Sequence, residues 1–323
     1  MRITFLGTSE FAVPSLRALL EDPSVLVECV ITQEDRPRGR GHRVQPPPVK
    51  VLALERDIPV FQPLRIRAED SKAHFQKLLP DLIVVASYGQ ILPKWLLDLP
   101  AYGAVNVHAS LLPKYRGAAP IQWAILKGEE TTGITTMLMD EGLDTGPIML
   151  QHATEIQPEE SAGELHDRLA QIGAELLLNT IHRLQQGSLV VKPQEDDRAT
   201  LAPKISKEAA IIEWTNAALD IHNRVRAFNP WPVAVSGIRD LELKIWKTRP
   251  CSETSEESLH SLRPGEIYVA RKSRLLVGCG GGIPLELAEV SLPSHKRING
   301  AELVNGLQLK TGEFLVPPVR QSV

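Results

Sequence analysis

Asn106 and His108 stand one residue apart in GAVNVHASLLPKYRGAAP, Gly103 to Pro120, and Asp144 follows in MDEGLDTG. Gly103–Val107 reads as a short apolar strand, and side chains two apart on a strand share a face. The amide and the imidazole therefore stand side by side near the strand's C-terminal end, where an open parallel sheet binds its ligands. An amide donor, an imidazole and a later carboxylate suit acyl transfer. The amide stabilises an oxyanion, the imidazole handles a proton, and the carboxylate orients or charges the imidazole. Taken singly, each residue has a plainer reading. A strand histidine is commonly a hydrogen-bonded core residue, and an aspartate in a glycine-containing loop commonly makes a turn. Two polar groups aimed into one interior need a shared reason, however. The loop Ser110–Gly117 that follows can set a backbone surface against a ligand.

Two other motifs lead nowhere. Leu143-Asp144-Thr145-Gly146 contains the aspartic-protease tripeptide, but that chemistry needs two aspartates sharing a proton and the chain has one D-T-G. Gly7-Thr8-Ser9 after the first strand has one glycine where G-x-G-x-x-G needs three, so it reads as a β-to-α turn.

The elements around these residues alternate. Strands are expected at Ile3–Leu6, Val25–Ile31, Leu82–Ala86, Gly103–Val107 and Ile134–Met139. Helices are expected at Pro14–Leu20, Val49–Arg56, Ala68–Leu79 and Ala118–Lys127. This is the signature of an α/β, mostly parallel sheet covered on both faces. Ser161–Gln185 reads as a long helix with Ser161 and Glu164 as a capping box and Gly187 as a stop. Gln194–Lys207 is polar without periodicity and reads as a linker. A helix near Ala217–Ala227 follows, and then short alternating runs (Leu241–Trp246, Glu266–Ala270, Leu275–Cys279, Leu285–Val290) that suggest a small β-barrel. The division expected is 1–189 catalytic, 190–207 linker and 208–323 barrel.

The 323 residues suffice for two cores. The hydrophobic fraction of 43% and charged fraction of 23% are those of a globular protein. No apolar run approaches the ~20 residues that span a bilayer, and MRITFLGTSEF lacks a signal peptide's apolar core and cleavage site. Three cysteines without a C-x-x-C pair argue against a disulfide framework or a metal site and fit a reducing cytoplasm.

Of 36 Lys+Arg and 39 Asp+Glu, 15 and 13 fall from Lys207 onward, leaving 21 and 26 before it; the halves carry +2 and −5. A polyanion should therefore favour the C-terminal half. There Lys244, Lys247, Arg249, Arg271, Lys272, Arg274, Lys296 and Arg297 could form a phosphate-tracking face or stand as solvated strand residues. The loop Asp35–Lys50 in the other half carries Arg36, Arg38, Arg40, Arg43 and Lys50 against one acid, and its glycines let it mould on contact with phosphates.

Across nearly its whole length the chain resembles the methionyl-tRNA formyltransferase family. The resemblance rests on FLGTSEFAVPSLRALL, TQEDRPRGRGH, VVASYGQILP, NVHASLLPKYRGAAPIQWAI, MDEGLDTGPI, KISKEAAIIEW and RAFNPWP. It implies a Rossmann-like formyltransferase domain and a C-terminal barrel like an OB-fold. The implied activity is transfer of the formyl group of 10-formyltetrahydrofolate, without a metal, to the amine of charged initiator tRNA. It further implies Asn106, His108 and Asp144 as the catalytic group and Ser110, Leu111, Leu112 and Pro113 as the folate-binding loop. Arg36, Arg38, Arg40, Arg43, Lys204 and Lys207 are implied as tRNA contacts. The protein is expected to be a cytoplasmic monomer that binds no membrane. Whether His108 or Asp144 is the base stays open. Two alternatives share parts of the pattern: a formyltransferase for a nucleotide sugar or a formyl-folate hydrolase, and an RNA-binding module with an inactive enzyme half.

Overall fold

A computed structural model describes residues 1–38, 43–251 and 262–318. They form two compact units that are not contiguous in sequence. The first comprises Met1–Pro120, Thr131–Glu155 and His166–Ala202, and the second comprises Ile121–Glu130, Ile156–Leu165 and the chain from Pro203.

In chain order, the elements up to residue 202 are β1 (Arg2–Gly7), α1 (Val13–Glu21), β2 (Leu26–Ile31), β3 (Arg36–Arg38), β4 (Arg43–Gln45), α2 (Pro48–Glu55), β5 (Val60–Phe61), α3 (Glu69–Leu78), β6 (Leu82–Ala86), α4 (Lys94–Leu97), β7 (Ala104–His108), β8 (Arg116–Gly117), α5 (Pro120–Leu126), β9 (Thr131–Leu138), β10 (Ile148–Glu155), α6 (Ala162–Gln185) and β11 (Leu201–Ala202). The main sheet runs β10-β9-β7-β6-β1-β2-β5. Strands β7, β6, β1, β2 and β5 are parallel, whereas β9 is antiparallel to both of its neighbours. All five residues of β6, Leu-Ile-Val-Val-Ala, are buried, as a strand covered on both faces requires. Strand β10 lies at the sheet's edge, and after Ile148-Met149-Leu150 it turns polar and mostly exposed.

Local chemistry explains the helices. Pro14 sits in the first turn of α1, where its missing N–H costs nothing. At the start of α6 the Ser161 N–H donates to Glu164 Oε2 at 2.8 Å and the Glu164 N–H returns to Ser161 Oγ at 3.3 Å, a capping box. None of the described helices is long and apolar enough to cross a membrane.

From residue 203 the elements are α7 (Ala218–Ala227), β12 (Ala234–Ile238), β13 (Leu241–Pro250), β14 (Ile267–Val269), β15 (Leu275–Val277), β16 (Leu285–Ser291), β17 (Ile298–Asn299), α8 (Gly300–Leu307) and β18 (Leu315–Val316). The sheet order is β14-β15-β16-β13-β12-β18, with β17 beside β16, and every pairing is antiparallel. The Ile267 N–H donates to Glu313 O at 2.7 Å and the Leu315 N–H to Gly265 O at 2.8 Å. These bonds join the two ends of the sheet into a nearly closed barrel. Trp214, Ile221, Val225, Leu243, Ile245 and Leu287 are among its core. Two earlier segments belong to this unit: Trp123 Nε1 donates to the Pro203 carbonyl at 2.8 Å, the Gly163 N–H donates to the Asn229 carbonyl at 3.0 Å, and the segments are bonded to each other. Ile156 N–H donates to Glu130 O at 2.8 Å, and Arg226 Nη1 donates to Gln157 O at 3.2 Å and Glu160 O at 3.0 Å.

Candidate functional site

Strand β7 presents Asn106 and His108 on one face. Its register fixes their places: Asn106 lies opposite Val85 of β6 and Met137 of β9, and His108 opposite Thr135. Asn106 is half-buried, and its side-chain amide has no hydrogen-bond partner among the described residues. His108 is 6% exposed. Its Nε2 lies 3.0 Å from the Tyr115 carbonyl. A carbonyl oxygen only accepts, so Nε2 carries the hydrogen and Nδ1 is the nitrogen that gains or loses a proton. Asp144 Oδ2 stands 3.6 Å from Nδ1, an ion-pair distance too long for a hydrogen bond.

Asp144 reaches His108 because its loop is tightly folded. The Asp140 carboxylate accepts from the Gly142 N–H at 3.0 Å and from Thr145 Oγ1 at 2.6 Å. Gly146 passes so near β9 that a Cβ there would lie 1.8 Å from the Leu138 carbonyl, so the glycine of D-T-G serves close approach. Asp144 itself takes a left-handed backbone, φ 54. Its Oδ2 accepts the Gly117 N–H at 2.8 Å, which anchors one oxygen.

The loop between β7 and β8 is braced from both sides. Ser110 is fully buried; its hydroxyl donates to Lys114 O at 2.6 Å, and its carbonyl accepts from Thr135 Oγ1 at 2.7 Å. Leu112 is buried, its N–H donating to Thr135 Oγ1 at 3.1 Å, whereas Leu111 and Pro113 are half-buried. The Leu112–Pro113 peptide bond is cis. Of the four residues expected to bind folate, Leu111 and Pro113 thus keep side-chain surface open, while Ser110 and Leu112 shape the loop.

Several residues here were not singled out from the sequence. Arg116 is buried, and its guanidinium donates to Gln194 Oε1 through Nε at 3.0 Å and Nη2 at 2.8 Å, and to Asp196 Oδ1 at 2.7 Å. Gln194 Nε2 donates to the carbonyls of Asp144 at 2.8 Å and Gly146 at 2.7 Å. The Tyr115 N–H bonds Thr200 Oγ1 at 2.9 Å, and β8 pairs with β11. Gln194 through Ala202, read as part of a linker, therefore pack on the site loop. Polar and backbone bonds hold them there, and these leave no hydrophobic periodicity. The one available signal was Arg116 inside the Ser110–Gly117 loop.

The expected tRNA contacts divide between exposed residues and ones outside the described residues. Arg36 and Arg43 are exposed on the paired strands β3 and β4. Arg40 and the Arg38 side chain lie outside the described residues. Lys50 is not a free cation: it bonds both Asp35 oxygens at 2.9 Å and Gln62 Oε1 at 2.7 Å. Lys204 and Lys207 are exposed and belong to the second unit. In that unit Arg274 pairs with Glu286 at 2.8 Å, Lys247 with Glu159 at 3.6 Å, and Arg297 with Glu289 at 3.7 Å over the Trp246 ring. Arg249, Arg271, Lys272 and Lys296 are exposed. Among the described residues no group of three or more His, Cys, Asp or Glu is arranged to hold a metal ion.

The formyl transferase family model matches residues 1–181, and that of the formyl transferase C-terminal domain matches residues 204–308. A protein of Geobacter sulfurreducens named methionyl-tRNA formyltransferase is 46% identical over 98% of this chain and 96% of its own. One of the same name from Citrifermentans bemidjiense is 47% identical over the same shares. Among solved structures, the sugar 3N-formyl transferase WlaRD, crystallised with dTDP and 5-N-formyl-THF, superposes with a TM-score of 0.66 at 19% identity, covering 92% of this chain and 99% of that one. At that identity the likeness is one of fold.

Proposed function

The chain belongs to the methionyl-tRNA formyltransferase family, and we propose that it moves the formyl group of 10-formyltetrahydrofolate onto the free amine of methionyl-initiator tRNA at Asn106, His108 and Asp144. The observation that carries the site assignment is the pairing on one face of β7 of an imidazole with an amide that has no partner among the described residues, with a carboxylate 3.6 Å from the ring. The neutral amine attacks the formyl carbon and forms a C–N bond. An aminoacyl ester holds its amine below the ~8 of an ordinary α-amine, so a neutral fraction is present at pH 7. The carbonyl oxygen becomes an oxyanion, to which the Asn106 amide donates. The attacking nitrogen loses its proton to the His108–Asp144 pair. The bond to the folate N10 then breaks, and that nitrogen takes a proton as it leaves. His108 suits the exchange because Tyr115 holds its Nε2–H and leaves Nδ1 facing Asp144.

In this reading, residues 1–189 carry the chemistry and 208–323 dock the tRNA, with Leu111 and Pro113 beside the folate. Arg36, Arg38, Arg40, Arg43, Lys204 and Lys207 meet phosphates. Exposure of Arg36, Arg43, Lys204 and Lys207 supports that role. The test uses purified chain, labelled formyl donor, and three acceptors: charged initiator tRNA, charged elongator methionyl-tRNA and an amino sugar nucleotide. Label should enter the initiator tRNA. Transfer to the sugar alone, or release of formate without transfer, would overturn the proposal.

A further inference from the structure

We propose that Gln194 is a positioning residue for the transfer: it holds the backbone of the Asp144 turn so that the carboxylate faces His108, with Arg116 as its anchor. The inference rests on the reading of Asp144 as part of the reacting group.

Gln194 spans the turn. Its Nε2 donates to the carbonyls of Asp144 at 2.8 Å and of Gly146 at 2.7 Å, one on each side of Thr145. Its Oε1 accepts twice from Arg116. A guanidinium can only donate, so the amide has one possible orientation, with its NH2 toward the turn. All four of its hydrogen-bonding positions are then in use. Asp144 holds a left-handed backbone that an aspartate adopts less readily than a glycine, φ 54, and the Gln194 bonds tie the carbonyls of Asp144 and Gly146 on either side of Thr145.

The arrangement also explains why the anchor is Arg116. Three consecutive residues each hold a different part of the site. The Tyr115 carbonyl accepts from His108 Nε2, the Arg116 side chain grips Gln194, and the Gly117 N–H grips the Asp144 carboxylate. Parallel pairing of β8 with β11, seven residues beyond Gln194, keeps the tripeptide and Gln194 in fixed register. Without Gln194, the Asp144 and Gly146 carbonyls lose their link to Arg116; the Asp140–Thr145 bond still closes the turn, but Asp144 itself is tied to the β8 segment only through the carboxylate that has to take part in proton transfer. Asp196, the other partner of Arg116, is 82% exposed in its side chain, so its charge is largely solvated and it cannot replace the link.

Two variants of the full chain test this. Gln194→Met fills the same volume and makes none of the four bonds. Gln194→Glu keeps an acceptor for Arg116, which preserves folding, and loses the donation to the two carbonyls. Steady-state kinetics, a kcat–pH profile and thermal unfolding are measured for both, alongside Asp144→Asn. The expected result is a kcat lower by about 10- to 100-fold in each Gln194 variant, the size of a misplaced catalytic group. KM for formyl donor and charged tRNA should stay within about threefold, because no bond to substrate is removed. The kcat–pH profile of Gln194→Met, which adds no charge, should move toward that of Asp144→Asn. Folded variants with parental kcat and pH profile, or with a lower unfolding temperature as the sole change, would overturn the inference. If Asp144→Asn itself retains full kcat, the assignment of Asp144 fails rather than the link through Gln194.

Discussion

Replacing Asn106 with alanine should remove most of the rate and almost none of the stability. In the resting structure the Asn106 amide has no partner among the described residues, so the substitution breaks no hydrogen bond of the fold. It also leaves no group orphaned on β6 or β9, whose register partners Val85 and Met137 meet it through their backbones. The folding free energy should therefore change by less than about 1 kcal/mol. The transition state differs, because an oxyanion forms there and the amide is the donor on hand. Loss of one such donor raises the barrier by roughly 2.7–4 kcal/mol, or about 10²–10³ in rate. Single-turnover formylation of charged initiator tRNA measures that term, and urea unfolding of the same preparation measures the first. Asn106→Asp should be slower still, since it sets a negative acceptor where the oxyanion must form. A single-turnover rate within about threefold of the parent, where the oxyanion donor predicts at least ~100-fold, would refute the role. So would a folding loss above about 2 kcal/mol, the cost of a buried bond that the fold does not contain.

Gly117→Ala should cost about 1–3 kcal/mol of stability, because φ 126 is open to glycine. The added Cβ would also lie 2.7 Å from the Ala202 carbonyl, so thermal unfolding and turnover should fall together, Asp144 losing its Gly117 anchor. His222 is buried between Thr248 and the Pro158 carbonyl; that burial lowers its pKa from 6.5, with Arg226 and Lys247 adding to the effect and the Pro158 carbonyl and Glu159 opposing it. The unfolded chain then binds the proton more readily. Stability should accordingly fall as pH drops below about 6.5, and unfolding midpoints between pH 7 and 5 should flatten in His222→Gln. Arg36→Ala combined with Arg43→Ala should weaken tRNA binding. The slope of log Kd against log salt should fall by about one for each phosphate no longer neutralised, read from titrations at several salt concentrations.

Much of this protein could be read along the chain because it depends on local chemistry. The alternation of apolar strands with helices dictated an α/β sheet, since each buried run must be covered on both faces. The buried β6, the capping box of Ser161 and Glu164, and the alternating runs of the barrel were legible for the same kind of reason. Asn106 and His108 were legible because a strand's period of two needs no knowledge of the fold. Asp144 could be named from its motif, but its position 3.6 Å from the ring depends on how the turn after β9 folds back. What only the tertiary structure decided is held by polar bonds between distant residues. Gln194 meets Arg116 across 78 positions in sequence. The Tyr115 carbonyl sets the hydrogen of His108, and Lys50 is withdrawn from the basic loop by Asp35 and Gln62. Such bonds leave no periodicity, because a single side chain at a single position makes each one. The same holds for residues 121–130 and 156–165: single donors, Trp123 Nε1, the Gly163 N–H and Arg226, join them to the second unit through the carbonyls of Pro203, Asn229, Gln157 and Glu160, groups that every residue carries and no sequence distinguishes.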